Sequence, residues 1–262
     1  MLLSQVAQAL ERYAPLPLQE SYDNAGLQIG LTETVEVSGA LLCVDVSEDV
    51  IDEAVAAGCN LVVAHHPLLF RPLRRIDQNN AVARIAVKAI KAGVAVYAAH
   101  TNLDNAPDGV CHEMARVLGL ENVGFLDPLA GGEGGSGVIG SLPEPMAPLD
   151  FLKWTKARFA TPCIMHNALP EREIARVAVC GGAGDFLTDK AVAAGADAFI
   201  TGEMGYHRFM GYEGEILTAA IGHYQSERCT VDLFARLLAA ALPGLRLVKS
   251  VKGQNPVHYL TD

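Results

Sequence analysis

The chain has 262 residues, 50% of them apolar, and a formal net charge of −10. A chain of this length buries a substantial core in one large or two medium domains. The negative charge argues against a broad contact with the phosphate backbone of nucleic acid. The first residues lack the basic segment of an export signal, and no apolar stretch has the length of a membrane span, so we expect a cytoplasmic protein.

The cysteines give a second indication of compartment. All 6 are scattered along the chain without a C-x-x-C pair. Most lie in apolar runs, which is typical of reduced core thiols and not of a disulfide framework or a thiolate zinc site. We therefore expect no disulfide.

Helical and strand patterns alternate along the first half of the chain. The segment VSEDVIDEAVAAG, residues 46–58, is a predicted helix with Ser47 near its N-cap and Gly58 at its stop, and the strand NLVVAHH follows. A second predicted helix ends at Gly93 and precedes the strand VAVYAAH. This alternation predicts an α/β fold with βαβ units, a largely parallel sheet and helices that cover it.

Residues 129–148, LAGGEGGSGVIGSLPEPMAP, keep no helical period, which predicts a domain boundary or a mobile loop. An offset of 137 aligns CVDVSEDVIDEAVAAGCNLVVAHH with CGGAGDFLTDKAVAAGADAFITGE. We interpret this as two similar α/β lobes; the alternative is that AVAAG-like helix ends recur in any strand–helix–strand unit. We expect a first lobe from residues 1–128 and 205–262, which carries most candidate ligands, and an inserted second lobe from 129–204.

Histidines and carboxylates follow the predicted strands. His65 and His66 end one strand, and two further apolar strands each run into a histidine with a carboxylate four residues later. These pairs are His100 with Asp104 and His223 with Glu227. Because ligands gather beyond the carboxyl ends of parallel strands, we expect these side chains to converge. On a helix, both members of an i, i+4 pair project from one face.

This donor set predicts two metal ions. Adjacent side chains splay, so His65 and His66 suit two neighbouring ions better than one. Three imidazoles and two carboxylates, one carboxylate bridging, would hold two divalent ions and leave positions open for water, which indicates catalysis. Zinc, manganese, iron, cobalt and nickel all accept such donors. The alternative is that each histidine is an ordinary core or loop residue, and four histidines at three strand ends weigh against it.

Six segments occur in an order that resembles a known family: ESYDNAGLQIG, AHHPLLF, AAHTNLDNAPDGV, CGGAGDF, TGEMGYH and GHYQSE. Over almost the whole chain they look like the GTP cyclohydrolase 1 type 2 family, also called the NIF-three-like family. The resemblance implies two similar lobes, a toroidal homohexamer whose sites face an internal cavity, and a bridging role for Glu227. Tyr22 departs from the pattern, where tryptophan is expected. The implied metal ligands are His65, His66, Asp104, His223 and Glu227.

His100 is not among the ligands that the resemblance implies. A neutral imidazole at this position would shuttle protons or orient Asp104 from outside the ligand set, and a structural role is the alternative.

Two further segments could bind phosphate. Arg71 and Arg74 follow the histidine pair and could meet a polyphosphate, whereas Gly181 and Gly182 lie at a strand-to-helix turn whose N–H groups could cradle one. Solvated arginines and a simple tight turn are the alternatives. A further hypothesis assigns three residues at the end of the strand equivalent to that of His65 to the cleft: Glu203, Tyr206 and His207.

Three functions are compatible with these patterns. The first is a dinuclear metal-dependent hydrolase with His100 and Glu227 in catalysis, for which the resemblance implies water attack on the guanine ring of GTP or on a related nucleotide or phosphoester. The second is a non-enzymatic metal carrier or regulator. The third, a DNA-associated ring, fits poorly with a charge of −10. We adopt the hydrolase with a small phosphorylated or nucleotide substrate, and expect neither a membrane nor a nucleic-acid partner.

Overall fold

The structure is a computed structural model that describes residues 1–30 and 35–260. The strands are β1 (Gly26–Ile29), β2 (Ala40–Cys43), β3 (Leu61–Ala64), β4 (Ala95–Ala98), β5 (Glu121–Pro128), β6 (Gly135–Met146), β7 (Met165–His166), β8 (Ile174–Cys180), β9 (Ala198–Thr201), β10 (Leu217–Ala220) and β11 (Leu247–Lys249). The helices are α1 (Leu3–Tyr13), α2 (Glu48–Ala56), α3 (Ala81–Ala92), α4 (Thr101–Asp104), α5 (Val110–Val117), α6 (Pro148–Arg158), α7 (Thr188–Ala193), α8 (His223–Glu227) and α9 (Cys229–Ala241). Among the described helices, none combines the length and apolar character that a membrane crossing requires.

The chain divides into two compact units whose boundaries differ from the predicted ones. Unit 1 comprises Met1–Ala106 with Thr230–Gln254, and unit 2 comprises Pro107–Cys229 with Asn255–Asp262. The predicted divisions, after residues 128 and 204, both fall inside unit 2. Strands β6 and β9 belong to the expected inserted lobe, whereas β5 and β10 lie outside it. Because β5 pairs with β6 and β10 pairs with β9, all four strands belong to one sheet.

Unit 1 is built on a sheet in the order β1-β4-β3-β2-β11. Strands β4, β3, β2 and β11 are parallel to one another, and β1 joins the edge antiparallel to β4. Every residue of β2, β3 and β4 is buried, as expected for strands covered on both faces. This sheet confirms the predicted βαβ units of the first half.

The helices of unit 1 begin and end as their sequences predict. Ser47 caps α2 by accepting a hydrogen bond from the backbone N–H of Val50 at 3.2 Å. Asn80 caps α3 in the same way through Ala83 at 3.0 Å, and α3 ends at Gly93 in the left-handed region. Each helix therefore starts directly before the apolar stripe that packs on the sheet.

Unit 2 contains a sheet in the order β5-β6-β8-β9-β10-β7. Strands β8, β9 and β10 are parallel, whereas β6 pairs antiparallel with both β5 and β8, and β7 pairs antiparallel with β10. The parallel strands are buried almost throughout, but three of the five strand pairings in this sheet are antiparallel. The expectation of a largely parallel sheet holds for unit 1 better than for unit 2.

The two units share an internal topology, which confirms the predicted pair of similar α/β lobes. In unit 1 the parallel strands run β2, β3, β4, and in unit 2 the corresponding order is β8, β9, β10. The helices between the first two strands of each set end at Gly58 and Gly195, with φ angles of 66° and 71°. The repeated AVAAG is thus the same left-handed helix ending in both units.

The glycine-rich segment 129–148 is mostly strand, which corrects the predicted boundary or mobile loop. Residues Gly135–Met146 form β6, in the interior of the unit 2 sheet. A Cβ on Gly135 would lie 2.7 Å from the carbonyl oxygen of Asp127, so glycine here permits close approach of β5. The pairing with β8 shifts register between Ser141 and Met146, and this irregularity accommodates the two prolines.

Candidate metal centre

Three histidines of unit 1 lie together beyond the carboxyl ends of two neighbouring strands; we call His65, His66 and His100 the histidine group. His65 and His66 follow β3, His100 follows β4, and Ala64 pairs with Ala98 at the ends of these parallel strands. The ring centroids are separated by 5.0 Å for the adjacent pair and by 5.4 Å from each of them to His100. One ring nitrogen from each residue lies within 4.8 Å of the others, a spacing that a shared metal ion could use.

The second nitrogen of each ring is held by an oxygen acceptor. His65 Nδ1 lies 2.9 Å from the carbonyl oxygen of Ala99. His66 Nδ1 lies 2.7 Å from Oδ1 of Asp45, and His100 Nδ1 lies 2.8 Å from Oδ1 of Asp23. Carbonyl and carboxylate oxygens only accept, so Nδ1 donates in all three rings and the lone pair of each neutral imidazole is on Nε2. Metal-ligating histidines are oriented in this way by their outer partners.

Asp104 adds a carboxylate to the same place. It ends α4, four residues after His100, and its Oδ1 lies 3.7 Å from Nε2 of His65. The backbone N–H of Asp104 donates to the carbonyl of His100 at 3.0 Å, so the first helical turn fixes the spacing of the pair. The structure thus brings together the four predicted residues of unit 1, with His100 inside the histidine group and not merely beside it.

Asp23 supports this arrangement from the loop before β1. Burial would raise the pKa of its carboxyl, but hydrogen bonds from His100 and Thr101 outweigh burial and lower the pKa to about 2. The carboxylate is therefore ionised at neutral pH and holds both the His100 ring and the start of α4. From sequence, we interpreted Asp23 only as part of a turn that binds backbone. It does accept from the Asn24 N–H, but its main partners are 77 and 78 positions away.

Asp45 is the second residue that the sequence analysis missed. It follows β2 and so reaches the same edge of the unit 1 sheet as the histidines after β3. The available signal was positional, because Asp45 is the first carboxylate beyond the end of a buried parallel strand.

Unit 2 contains the other predicted ligands; we call His223, Glu203 and Glu227 the His223 group. His223 begins α8, and its Nε2 lies 3.1 Å from Oε2 of Glu227 one turn later. Its Nδ1 lies 3.1 Å from Oε1 of Glu203. The side chain of Glu227 is only 4% exposed, so burial and pairing hold the carboxylate in place. Glu203, which we assigned to a cleft only as a hypothesis, contacts a predicted ligand directly.

The glycine turn after β8 makes room for the carboxylate of Glu227. The Gly182 N–H already donates to Oγ of Ser226 at 3.0 Å, and the Gly184 N–H donates to Oγ1 of Thr201 at 3.0 Å. A Cβ on Gly182 would lie 2.5 Å from Oε1 of Glu227. The occupied N–H of Gly182 and its missing side chain, which makes room for a carboxylate, argue against a phosphate cradle at Gly182, whereas the one expected at Gly181 stays a prediction.

The remaining predicted residues lie on exposed segments. Arg71 and Arg74 are exposed after β3, and the Arg71 guanidinium lies 5.8 Å from the ring centroid of Phe70. Tyr206 and His207 lie on a 3₁₀ turn, where their rings contact each other with centroids 5.2 Å apart. The assignment of Tyr206 and His207 to a cleft stays a hypothesis.

Comparisons with known proteins place the chain in a family. The model of the Duf34/NIF3 (NGG1p interacting factor 3) family matches residues 1–256. A Lactococcus lactis protein named "GTP cyclohydrolase 1 type 2 homolog" is 32% identical over 267 residues, which cover 98% of this chain and 99% of that protein. A Clostridium acetobutylicum protein of the same name is 31% identical over 236 residues, or 89% of this chain and 88% of that protein.

The fold comparison agrees with the sequence comparison. The crystal structure of Staphylococcus aureus hypothetical protein SA1388 matches with a TM-score of 0.91 and 26% sequence identity, and the match covers 99% of both chains. The resemblance inferred from the six sequence segments is thus confirmed. The chain belongs to the Duf34/NIF3 (NGG1p interacting factor 3) family.

Proposed function

We propose that this protein is a metal-dependent hydrolase that opens the guanine ring of GTP or hydrolyses a related nucleotide or phosphoester. The observation that carries the proposal is the histidine group, in which acceptors hold all three Nδ1 atoms and one ring nitrogen of each residue lies within 4.8 Å of the others. Ordinary core histidines do not need a common orientation of this kind, whereas metal ligands are typically held in this way by outer acceptors. The donor chemistry fits a borderline divalent ion.

The proposed centre would hold two divalent ions per chain, and Glu227 is the bridging ligand that the family resemblance implies. Two groups of imidazole and carboxylate donors, one in each unit, support this number, as does the splay of the adjacent histidines. Zinc, manganese, iron, cobalt and nickel all accept these donors. When bound, the ions supply Lewis acidity and lower the pKa of water toward neutrality. The proposed ligands are His65, His66, Asp104, His223 and Glu227.

His100 accepts a proton in the proposed reaction. Its Nδ1 donates to Asp23, which leaves Nε2 as the atom that takes up a proton. Asp23, with a pKa of about 2, stays ionised at neutral pH and stabilises the imidazolium that forms. Asp23 therefore positions His100 and offsets its charge without itself changing protonation.

The substrate proposal draws on the relatives and on local charge. Relatives that are 31–32% identical carry the name "GTP cyclohydrolase 1 type 2 homolog". Arg71 and Arg74 offer exposed guanidinium groups on the segment that follows the paired histidines, and such groups bind phosphate oxygens in bidentate fashion. We also propose a toroidal homohexamer and a cytoplasmic location, the latter supported by free thiols at all the cysteines.

Formate release from GTP tests the proposed reaction, since one water opens the ring at C8 to a formamide and hydrolysis of that formamide by a second water frees C8 as formate. The parent chain, purified without chelator and supplied with zinc, manganese or iron, should release formate. His65→Ala should abolish release, whereas His258→Ala, which removes an exposed histidine, should not. Full activity in His65→Ala, or after removal of all metal from the parent, would contradict the hydrolase.

The alternative is a metal carrier or regulator without turnover. It is favoured by the same donor groups, because delivery also needs an oriented but incomplete ligand set. A carrier should transfer its ion to an acceptor protein faster than free dissociation allows, and a hydrolase should retain it through turnover. The rate of transfer, measured with and without the acceptor, separates the two functions.

A further inference from the structure

Two exposed aromatic rings stand at the edge of the histidine group. Tyr22 is 64% exposed and Phe70 is 37% exposed. Their centroids are 6.4 Å apart at an interplanar angle of 72°. They border a cavity of about 440 Å³, which we call the aromatic recess; its lining includes Tyr22, Asp23, Asn24, Leu69, Phe70 and Pro72. Large rings left in water at a concave site are typical of ligand binding.

The aromatic recess shares a wall with the proposed metal ligands. The Phe70 ring lies 6.0 Å from the ring of His100, at an angle of 86°. Asp23 lines the recess and accepts the hydrogen bond from His100. By contrast, a cavity of about 580 Å³ along α1 and α9 is lined by neither imidazole nor carboxylate, and we assign it no chemistry.

Side-chain hydrogen bonds hold the two walls of the recess together. Asn24 Nδ2 donates to the carbonyl of Leu69 at 2.7 Å, and the Leu69 N–H donates to Oε1 of Gln28 at 3.0 Å. Gln28 in turn donates to the carbonyl of Asn24 at 2.6 Å. The segment that carries Tyr22 is thereby tied to the segment that carries Phe70. The recess is formed before any ligand arrives, which lowers the entropic cost of binding.

Positively charged residues come directly after Phe70 in the sequence. The Arg71 guanidinium lies 5.8 Å from the Phe70 centroid, and Arg74 and Arg75 are exposed on the same segment. A ligand with a planar ring and an anionic group would therefore meet aromatic faces and guanidinium groups in succession.

We propose that the aromatic recess binds the planar ring of the substrate, with Tyr22 and Phe70 as its stacking surfaces and Arg71 as the contact for an anionic group. This deepens the proposed function by naming a ring-binding subsite on the chain's own residues. Base-to-aromatic stacking tolerates many heterocycles, so these residues supply binding strength and placement next to the histidines.

Direct binding to the full chain tests this subsite without any turnover. The probes are guanosine, guanosine 5′-monophosphate and ribose 5-phosphate. Ligand-detected NMR and titration calorimetry measure the binding of each. We expect saturation transfer to the guanine ring proton. Tyr22→Leu and Phe70→Leu should each weaken guanosine binding by about tenfold, the scale expected for loss of one stacking contact. Tyr22→Trp should retain guanosine binding, and Arg71→Met should weaken binding of the monophosphate but not of guanosine.

Circular dichroism and metal content of each variant serve as controls for folding. Failure of guanosine to bind the parent chain, or parental affinity in both leucine variants, would overturn the subsite. The proposed function can fail separately: guanosine binding that depends on Tyr22 and Phe70, without formate release from GTP, would contradict the hydrolase and leave the subsite standing. Formate release together with unchanged guanosine binding in the leucine variants would contradict the subsite and leave the hydrolase standing.

Discussion

His66 donates from Nδ1 to Oδ1 of Asp45 across 2.7 Å, a contact between the residue after β3 and a residue after β2. The bond fixes the tautomer in which Nε2 of His66 carries the lone pair. Asp45 is 48% exposed at its side chain, so little of the core depends on it. It therefore offers a way to disturb ligand orientation while the fold is preserved.

Asp45→Ala should weaken metal binding by about ten- to hundredfold, because removal of an outer acceptor releases the ring of a ligand. Competition with a chromophoric chelator measures the affinity. Asp49→Ala, an exposed carboxylate on α2, is the matched control and should bind as the parent does. Equal affinity in Asp45→Ala and the parent would show that His66 does not act as a ligand.

Gly182→Ala should lower metal content through Glu227. The new Cβ would lie 2.5 Å from Oε1 of Glu227, and the residue has a φ of 59°, which alanine adopts at a cost of about 1–2 kcal/mol. Gly195→Ala shares that backbone cost at a φ of 71° but meets no atom within 4 Å. We expect similar losses of stability in both variants and a loss of metal only in Gly182→Ala. Normal metal content in Gly182→Ala would contradict the role assigned to Glu227.

The stability of unit 1 should depend on pH through Glu53 of α2. Its carboxylate accepts from Oγ of Ser250 and from the backbone N–H groups of Val251 and Lys252 at 2.8 Å and 3.2 Å. Burial raises the pKa of Glu53, but these hydrogen bonds outweigh it and lower the pKa below the usual value. A lowered folded pKa gives stability that is present above the unfolded value and is lost as the pH falls through the folded value.

Glu53→Gln should therefore reduce the free energy of unfolding by about 1 kcal/mol at pH 7, and the difference from the parent should shrink below about pH 4. Urea denaturation at a series of pH values measures it. Glu133→Gln, at an exposed position, should match the parent throughout. A difference between parent and Glu53→Gln that persists unchanged at low pH would exclude the charged hydrogen bonds as its source.

The sequence predicted the elements that combine a strong period with clear end signals. Ser47 and Gly58 bound α2 because a hydroxyl cap and a left-handed glycine act locally. The strand β6 was missed because its glycines and prolines obscure the strand pattern, and only pairing with β5 and β8 explains them. The boundaries of the two compact units differ from the predicted lobes for a related reason, since pairing between distant strands defines the units.

The candidate site was predictable where ligands follow strands or share a helical turn. His65, His66, Asp104, His223 and Glu227 meet one of these conditions. Asp23 and Asp45 contact histidines 77 and 21 positions away, and no local period encodes such contacts. The role of Gly182 was misassigned because a glycine turn that accommodates a carboxylate has the same local sequence as one that binds phosphate.

Elemental analysis of the full chain, purified without chelator or nickel affinity, is the first test of the proposed metal centre. We expect about two divalent ions per chain in the parent and in His258→Ala, and a sharp fall in His65→Ala and Glu227→Ala. A parent chain that contains no such ion, and that takes up none when zinc, manganese or iron is added, would contradict the metal centre and the hydrolase built on it.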